Sequence, residues 1–200
     1  VVADVRLTGL RRVSDKEVRA VLKTRNPSFG PWAPKPALRM DFLRADTVAI
    51  EAVCRRHGFL DAKAHARLSA GKNSREAIVT FEVHEGERSR IGDVTFGGVT
   101  AYPPDQLRKR LLARPGRPYN PAYPIADTTR ISRAYQDRGY IPHVFASMRR
   151  EGLLAHVHYE VVEGPLYRFG AEQLASPFRV GQSLIRRELL IPSGEVYPYP

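Results

Sequence analysis

Apolar and polar residues alternate along two stretches of the chain. The two stretches match each other at a spacing of 78 residues, so that Val79 corresponds to Val157. The apolar positions are Ala77, Val79, Phe81 and Val83 in the first stretch and Ala155, Val157, Tyr159 and Val161 in the second. The opposite face carries polar residues, which are Thr80, Glu82 and His84 in the first stretch and His156, His158 and Glu160 in the second. This alternation predicts two strands, each with one face against a core and the other face in water.

Further landmarks recur at the same spacing. Glu85-Gly86 returns as Glu163-Gly164, Ile91-Gly92 as Phe169-Gly170, Gly116 as Gly194 and Tyr119 as Tyr197. A spacing that stays fixed over four landmarks indicates that the chain contains one unit twice and begins it a third time. Repeated modules present surfaces more often than they build a single catalytic pocket.

The remaining pattern predicts the order of elements within a unit. In the second copy it predicts a strand over Arg90 to Phe96, a helix from Pro104-Asp105 with Leu107, Leu111 and Leu112 on one face, a helix from about Ala122 to Arg138, and strands over His143 to Met148 and Leu153 to Val162. In the first copy it predicts a strand through Val5 and Leu7, a capping box over Ser14 to Glu17, a second helix over about Asp41 to His57, and a strand over Ala62 to Leu68. Gly58 and Gly139 are expected to end the second helices in a left-handed conformation.

These elements predict an α+β fold of tandem β-α-α-β-β modules, each a three-stranded mixed sheet covered on one face by two helices. We expect the modules to span residues 1–86 and 87–164, followed by an incomplete third module over 165–200. In that third copy the pattern predicts a strand over Leu166 to Leu174 and a helix over Gln182 to Leu190. Because one strand and one helix cannot bury each other, we expect the segment to belong to a longer chain.

Composition narrows the classes of function. The 200 residues are 42% hydrophobic and carry a net charge of +11, from 32 basic and 21 acidic residues. This charge favours acidic partners such as nucleic acid, anionic lipid or an acidic protein, although an arginine-rich solvated surface explains it equally well. The single cysteine, Cys54, excludes an internal disulfide framework. No run of about 18 apolar residues occurs and no signal peptide opens the chain, so we interpret it as a mature or excised fragment.

The repeat unit resembles a known family. A β-α-α-β-β unit that closes on Glu-Gly, with Arg-Gly-Tyr-Ile at residues 138–141 after the second helix, is similar to the POTRA (polypeptide-transport-associated) domain of the BamA/TamA outer-membrane assembly family. The matching stretches are Asp127 to Tyr140, Val161 to Gly164 and Tyr167 to Gly170, with echoes at His57 to Phe59 and Val83 to Gly86.

The resemblance implies a function that composition does not show. It implies a non-enzymatic arm in the periplasm that continues into a C-terminal β-barrel in the outer membrane. Its implied partners are unfolded outer-membrane protein clients, accessory assembly subunits or, in TamA-like members, an inner-membrane protein. A related arm of a two-partner secretion transporter or of a division-site protein is the alternative.

The edges of the sheets are the candidate binding sites. A three-stranded sheet leaves unpaired N–H and C=O groups at two edges, where an extended chain can add as a further strand. In the family the second strand of each module is a usual edge. We therefore predict partner contacts at Ala62, Ala64 and Ala66 in the first module and, as the preferred and more apolar edge, at His143, Val144, Phe145, Ala146, Ser147 and Met148 in the second. Phe29 and Trp32, between the helices of the first module, are candidate aromatic contacts. Solvated edges, and aromatics that fold back onto their own core, are the alternatives.

Basic pairs and clusters are candidate contacts for anionic lipid head groups near a membrane. They are Arg11, Arg12, Arg108, Lys109, Arg110, Arg149 and Arg150. A solvated surface is the alternative for each cluster. A basic nucleic-acid-binding module is disfavoured, because the solvated sheet faces carry residues such as His158 and Glu160 where base stacking needs aromatic rings.

Other candidate sites are weak. His156 and His158 share one strand face and could bind a metal, but alternating polar residues are expected there in any case. Cys54 aligns with Tyr135 on an apolar helix stripe, which predicts a packing residue rather than a nucleophile. No phosphate-binding glycine loop and no nucleophile motif occurs, so we expect no catalytic residue, metal or cofactor.

Overall fold

The structure is a computed structural model that describes residues 1–26, 36–73, 75–170 and 194–196. It divides into two compact units, the first from Val1–Gly92, Pro115–Ala122 and Arg150–Ala155, the second from Asp93–Arg114, Tyr123–Arg149 and the segment beginning at His156. Phe29, Trp32 and the helix predicted over Gln182 to Leu190 lie outside the described residues.

The described elements follow the order β-α-α-β-β twice. The first module consists of β1 (Val2–Thr8), α1 (Asp15–Val21), α2 (Met40–Arg56), β2 (Lys63–Ala70) and β3 (Ala77–His84). The second consists of β4 (Arg90–Gly97), α3 (Pro104–Arg110), α4 (Ala122–Gln136), β5 (His143–Glu151) and β6 (Leu154–Val162). The predicted α+β fold is confirmed.

The first sheet has the strand order β1-β3-β2. β1 runs parallel to β3 with Val5 opposite Val79, and β2 runs antiparallel to β3 with Ala64 opposite Val83. The sheet is therefore mixed, and its two edges are β1 and β2. The last strand of the module, β3, lies at the centre of the sheet and pairs with both other strands.

One face of this sheet packs against both helices. Val79 and Phe81 of β3 form a single buried cluster with Val18 of α1 and with Ile50 and Cys54 of α2. Cys54 is fully buried, as its place on the apolar stripe predicts, and burial raises the pKa of its thiol to about 11.

The second sheet repeats this arrangement in the order β4-β6-β5, so β4 and β5 form its edges. The four inward positions predicted from the alternating pattern are all buried: Ala155, Val157, Tyr159 and Val161. Ile131 and Tyr135 of α4 and Leu107 of α3 are buried as well. None of the described helices is long and apolar enough to cross a bilayer.

A glycine at the end of each first strand allows a close approach to the central strand. Gly9 has φ +85°, and a Cβ there would lie 2.0 Å from the carbonyl oxygen of Val83. Gly98 has φ +67°, and a Cβ there would lie 2.1 Å from the carbonyl oxygen of Val161. Only glycine fits such a site, because both the backbone angle and the space exclude a side chain.

The predicted capping box over Ser14 to Glu17 is wrong. Helix α1 begins at Asp15 with Ser14 as its N-cap residue, but the Ser14 side chain makes no capping hydrogen bond. The Glu17 carboxylate instead pairs with Nε2 of His57 at 2.6 Å. A partner brought close by the tertiary fold has replaced the local bond.

The first helix of the second module is also shorter than predicted. Helix α3 ends at Arg110, and Leu111 has an extended backbone with φ −79° and ψ 150°. Leu111 and Leu112 therefore follow the helix rather than continuing the face of Leu107. Strand β5, in contrast, continues three residues beyond Met148, to Glu151.

Candidate functional site

The preferred binding strand, β5, lies at an edge and is exposed along its length. Of residues 143–148 only Val144 is partly buried, while Phe145 is 62% and Met148 41% exposed. A strand that presents both its backbone edge and large apolar side chains can accept an extended apolar segment.

The β2 edge differs from the β5 edge in what it exposes. Ala62 and Ala64 are buried in the core, so these two predicted contacts can offer main-chain groups only, and Ala66 packs partly against the core. One of those groups is already used, because the Ala64 N–H donates to Oε1 of Glu51 at 3.3 Å. The residue of α4 that corresponds to Glu51 is Ser132, whose short side chain carries no carboxylate.

The outer edge of β1 is closed by its own module. The Val5 N–H donates to Oδ1 of Asn26 at 2.5 Å, and the Val5 carbonyl accepts from Nη1 of Arg19 at 3.2 Å. The Val2 N–H donates to the carbonyl of Pro36 at 2.8 Å. An incoming strand would have to displace these bonds.

The outer edge of β4 is closed at its start by the segment between α3 and α4. The Ile91 N–H donates to the Arg117 carbonyl at 2.8 Å, and the Ile91 carbonyl accepts from the Gly116 N–H at 2.7 Å. Phe169 makes the same two bonds, both at 2.9 Å, with the backbone of residues 194–195. The repeat spacing of 78 residues therefore corresponds to a repeated hydrogen-bond pattern. Among the four described edges, β5 is the most accessible.

A carboxylate in each Glu-Gly pair organises the loop after the first strand. Oε1 of Glu85 accepts the N–H groups of Arg11, Arg12 and Val13 at 2.9, 3.0 and 3.0 Å. Burial alone raises the pKa of Glu85, but these N–H groups stabilise the carboxylate more, so its pKa lies below the usual value.

Glu163 plays the same part in the second module. Its Oε1 accepts the N–H groups of Thr100 and Ala101 at 2.6 and 2.8 Å, and its Oε2 accepts the Thr100 hydroxyl. Burial raises the pKa of Glu163, and the Thr100, Ala101 and Tyr135 donors outweigh it, so the pKa is lowered overall. The signature pair is thus a structural device for closing a loop.

In each module a buried aspartate on the second helix binds the backbone just after the first helix ends. Asp46 accepts the N–H groups of Lys23 and Thr24 at 2.7 and 2.8 Å, and both its oxygens are engaged. Asp127, 81 residues later, accepts the N–H groups of Leu112 and Ala113 at 2.7 and 2.8 Å. These bonds turn the chain out of the helix. The candidate sites predicted from the sequence do not include these aspartates, although an acid repeated on an otherwise apolar helix face is a signal of such a role.

The predicted basic contacts have different surroundings. Arg11 and Arg12 are exposed beside the Glu85 loop. Arg108 pairs with Asp105 at 2.8 Å, Arg110 lies 3.9 Å from Asp137, and Arg150 pairs with Asp61 of the same compact unit at 2.6 Å. Lys109 and Arg149 are exposed. The structure does not gather these residues into one site.

The histidines of the second sheet bind neighbouring strand atoms. Nδ1 of His156 accepts the Asp93 N–H at 3.3 Å, and Nδ1 of His158 lies 2.9 Å from the Thr95 hydroxyl. Over the segments that the structure describes, no group of three or more potential metal ligands is found. These side chains complete the solvated face of β6.

Comparison with known proteins identifies the repeat. The family model for POTRA, described as the surface antigen variable number repeat, matches residues 1–86 and again 89–164. The chain belongs to the POTRA family. The resemblance inferred from the spacing of the Glu-Gly pairs is therefore confirmed.

One curated relative is an outer membrane protein assembly factor BamA from Nitratidesulfovibrio vulgaris, strain Hildenborough. It is 29% identical over 144 residues, which is 68% of this chain but 18% of the relative. The POTRA chain thus spans less than a fifth of that protein's length.

Solved structures share the fold. The N-terminal domain of Omp85 from Thermosynechococcus elongatus covers 98% of this chain with a TM-score of 0.52 and 23% identity, and the match spans 78% of that domain. POTRA domains 3–5 of Haemophilus influenzae BamA cover 98% with a TM-score of 0.51 and 15% identity, over 79% of that structure. At these identities the likeness shows the POTRA fold.

Proposed function

We propose that the chain is a periplasmic POTRA arm of an outer-membrane β-barrel assembly or translocation protein. It acts without catalysis by binding client or accessory polypeptides, and its parent continues into a membrane barrel. Membership of the POTRA family and the likeness to a BamA assembly factor support this role. The β5 edge is the single observation that carries the binding mechanism.

The mechanism is addition of a strand to β5. Backbone hydrogen bonds supply affinity without regard to client sequence, which suits clients with varied side chains. Phe145 and Met148 add apolar contact area next to that edge. The other edges compete less well, since β1 and β4 already bond to their own chain at Val5 and Ile91, and Ala64 of β2 is bonded to Glu51.

The test is binding of a peptide with alternating apolar and polar residues, typical of an outer-membrane strand, measured by fluorescence anisotropy. The variant Ala146→Lys/Ser147→Lys places two lysines on β5, a known way of blocking a strand edge. The matched variant Leu68→Lys/Ser69→Lys does the same on β2. We expect roughly tenfold weaker binding for the β5 variant and little change for the β2 variant.

The pattern of results separates the mechanisms. Loss confined to the β2 variant would reassign the edge. Equal affinity for the wild type and both variants would exclude strand addition as the mode of binding. Amide exchange should show new protection at residues 143–148 when peptide is bound, whereas binding through helices would leave those amides unchanged.

A further inference from the structure

Helices α3 and α4 bring together a group of exposed basic side chains. Lys109 and Arg110 lie in the last turn of α3, and Arg130 and Arg133 lie one turn apart on α4. Nη1 of Arg130 donates to the Arg110 carbonyl at 3.4 Å, which joins the two pairs. Arg114 adds its guanidinium at the same helix end, where Nη2 donates to the Lys109 carbonyl at 3.2 Å. Lys109, Arg110, Arg130 and Arg133 are called the basic patch below.

Within the part of the chain that the structure describes, two carboxylates lie near the basic patch, and they neutralise only part of its charge. Asp137 lies 3.9 Å from Arg110 and is itself exposed. Asp127 lies 3.8 Å from Arg130, but it is fully buried and accepts hydrogen bonds from the N–H groups of residues 112–113. The patch therefore keeps an excess of positive charge at the surface.

The repeat supplies an internal control for this charge. The first helices correspond at a step of 89 residues, from Val18 to Leu107, and the second helices at 81, from Asp46 to Asp127. At the four patch positions the first module has Ala20, Val21, Ala49 and Ala52. None of these four residues is basic. Arg114, which lies beside the patch, does have a basic counterpart, Arg25. The first module forms the same two-helix layer without the patch, so the fold does not require it.

The chemistry of the patch suits phosphate groups. A guanidinium has five N–H donors in a planar fork that matches phosphate oxygens. The hydrogen bond from Nη1 of Arg130 to the Arg110 carbonyl uses one of those donors. The side chains are exposed and spread over two helices, a layout suited to an extended anionic surface.

We propose that the basic patch docks the second module on the head groups of anionic phospholipids at a bilayer surface. The inference rests on the proposed membrane-attached role and gives it a second, independent contact. Nucleic acid fits less well, because the solvated face of the same sheet carries His156, His158 and Glu160 rather than stacking aromatic rings.

The test is sedimentation of the 200-residue chain with phosphatidylcholine vesicles that either contain or lack phosphatidylglycerol. The patch variant changes Lys109, Arg110, Arg130 and Arg133 to Gln. The matched control changes four exposed basic residues of the first module to Gln, namely Arg6, Arg44, Arg67 and Lys72. Both variants remove four charges from the net +11. A difference in vesicle binding between them therefore cannot come from net charge.

We expect binding only to the anionic vesicles, at least about tenfold weaker for the patch variant and within about twofold of wild type for the control. Equal losses in both variants would show attraction by net charge alone, and absent wild-type binding would also overturn the proposal.

Two further outcomes would point to a different ligand. Displacement by free glycerol phosphate would indicate a discrete phosphate site. Patch-dependent binding to single-stranded DNA that is tighter than binding to vesicles would indicate nucleic acid, and either outcome contradicts docking on a bilayer.

Two smaller variants keep the test decisive if the fourfold change unfolds the module. Lys109→Gln/Arg110→Gln and Arg130→Gln/Arg133→Gln should each lose part of the vesicle binding while circular dichroism stays native. Retention of full binding by both folded pairs would overturn the proposal. Because no client peptide is present, failure here leaves the strand-addition mechanism unaffected.

Discussion

The Tyr135 hydroxyl donates a hydrogen bond to Oε1 of Glu163 at 2.7 Å and so joins helix α4 to the Glu-Gly pair that marks the repeat. Burial and the neighbouring Glu163 carboxylate both raise the pKa of Tyr135, so the phenol remains a donor. In the first module Cys54 occupies the place of Tyr135, and Glu85 binds three backbone N–H groups instead. The two modules thus satisfy the same carboxylate with different donors.

Replacing Glu163 by Gln should destabilise the second module. The carboxylate accepts from two N–H groups and two hydroxyls, and an amide nitrogen placed among those donors cannot accept from them. We expect a loss of about 1–3 kcal/mol in the free energy of unfolding, measured by urea denaturation. Glu87→Gln, at an exposed position near Glu85, is the control and should cost less than about 0.5 kcal/mol. Equal stability of both variants would contradict the assigned role.

The same carboxylates predict a loss of stability in acid. The folded-state pKa values of Glu85 and Glu163 lie below their ordinary values. The stabilisation is therefore fully present above the unfolded-state pKa of about 4.3 and is lost as pH falls through the lower folded-state pKa. Urea denaturation between neutral pH and strong acid should show this decline. The double variant Glu85→Gln/Glu163→Gln should show a shallower one, and an unchanged slope would mean that other groups control acid stability.

The repeat made most of the fold predictable, because each landmark could be checked against its copy. The alternating pattern predicts the strands β3 and β6. The alignment of Cys54 with Tyr135 predicts a packing residue, and both side chains are buried. Local motifs were less reliable. The capping box failed because Glu17 binds His57, which is 40 residues away in the chain. Long-range partners of this kind cannot be read from spacing within one helix.

The binding edge was predictable only in part. The order of strands places β5 at an edge, as the resemblance to the family implied. The closing of β1 by Asn26 and the bond from Ala64 to Glu51 depend on tertiary positions that no sequence pattern showed. Those contacts, rather than hydrophobicity alone, distinguish β5 from the other edges.

Gly98→Ala should destabilise the protein more than Gly116→Ala. Both glycines have positive φ, +67° and +81°, so each substitution carries the cost of a left-handed alanine, roughly 1 kcal/mol. A Cβ at Gly98 would also lie 2.1 Å from the Val161 carbonyl oxygen, whereas nothing lies within 4 Å of a Cβ at Gly116. We expect Gly98→Ala to cost at least about 2 kcal/mol more, measured by thermal unfolding. Similar melting temperatures for the two variants would disprove the close approach.

Cys54 should resist thiol reagents until the first module unfolds. Its side chain is fully buried, and burial raises the pKa of the thiol to about 11, so little thiolate forms at neutral pH. Labelling by a maleimide should be very slow in buffer and fast in urea concentrations that unfold the module. Val48→Cys provides a matched exposed thiol on the same helix when combined with Cys54→Ala. Equal rates for the two thiols in buffer would show that Cys54 is accessible.

Asp127→Asn should cost more stability than Tyr159→Phe, although the two side chains share a hydrogen bond of 3.0 Å. Asp127 also accepts the N–H groups of Leu112 and Ala113, and an asparagine can offer only one acceptor oxygen there. We expect about 2–4 kcal/mol for Asp127→Asn and about 1 kcal/mol for Tyr159→Phe, from urea denaturation. We expect the smaller cost for Tyr159→Phe because the first module has a phenylalanine, Phe81, at the corresponding position. The double variant should cost less than the sum of the two, because the shared bond is lost once. Strict additivity, or an equal cost for the two single variants, would exclude the hydroxyl as a partner of the buried carboxylate.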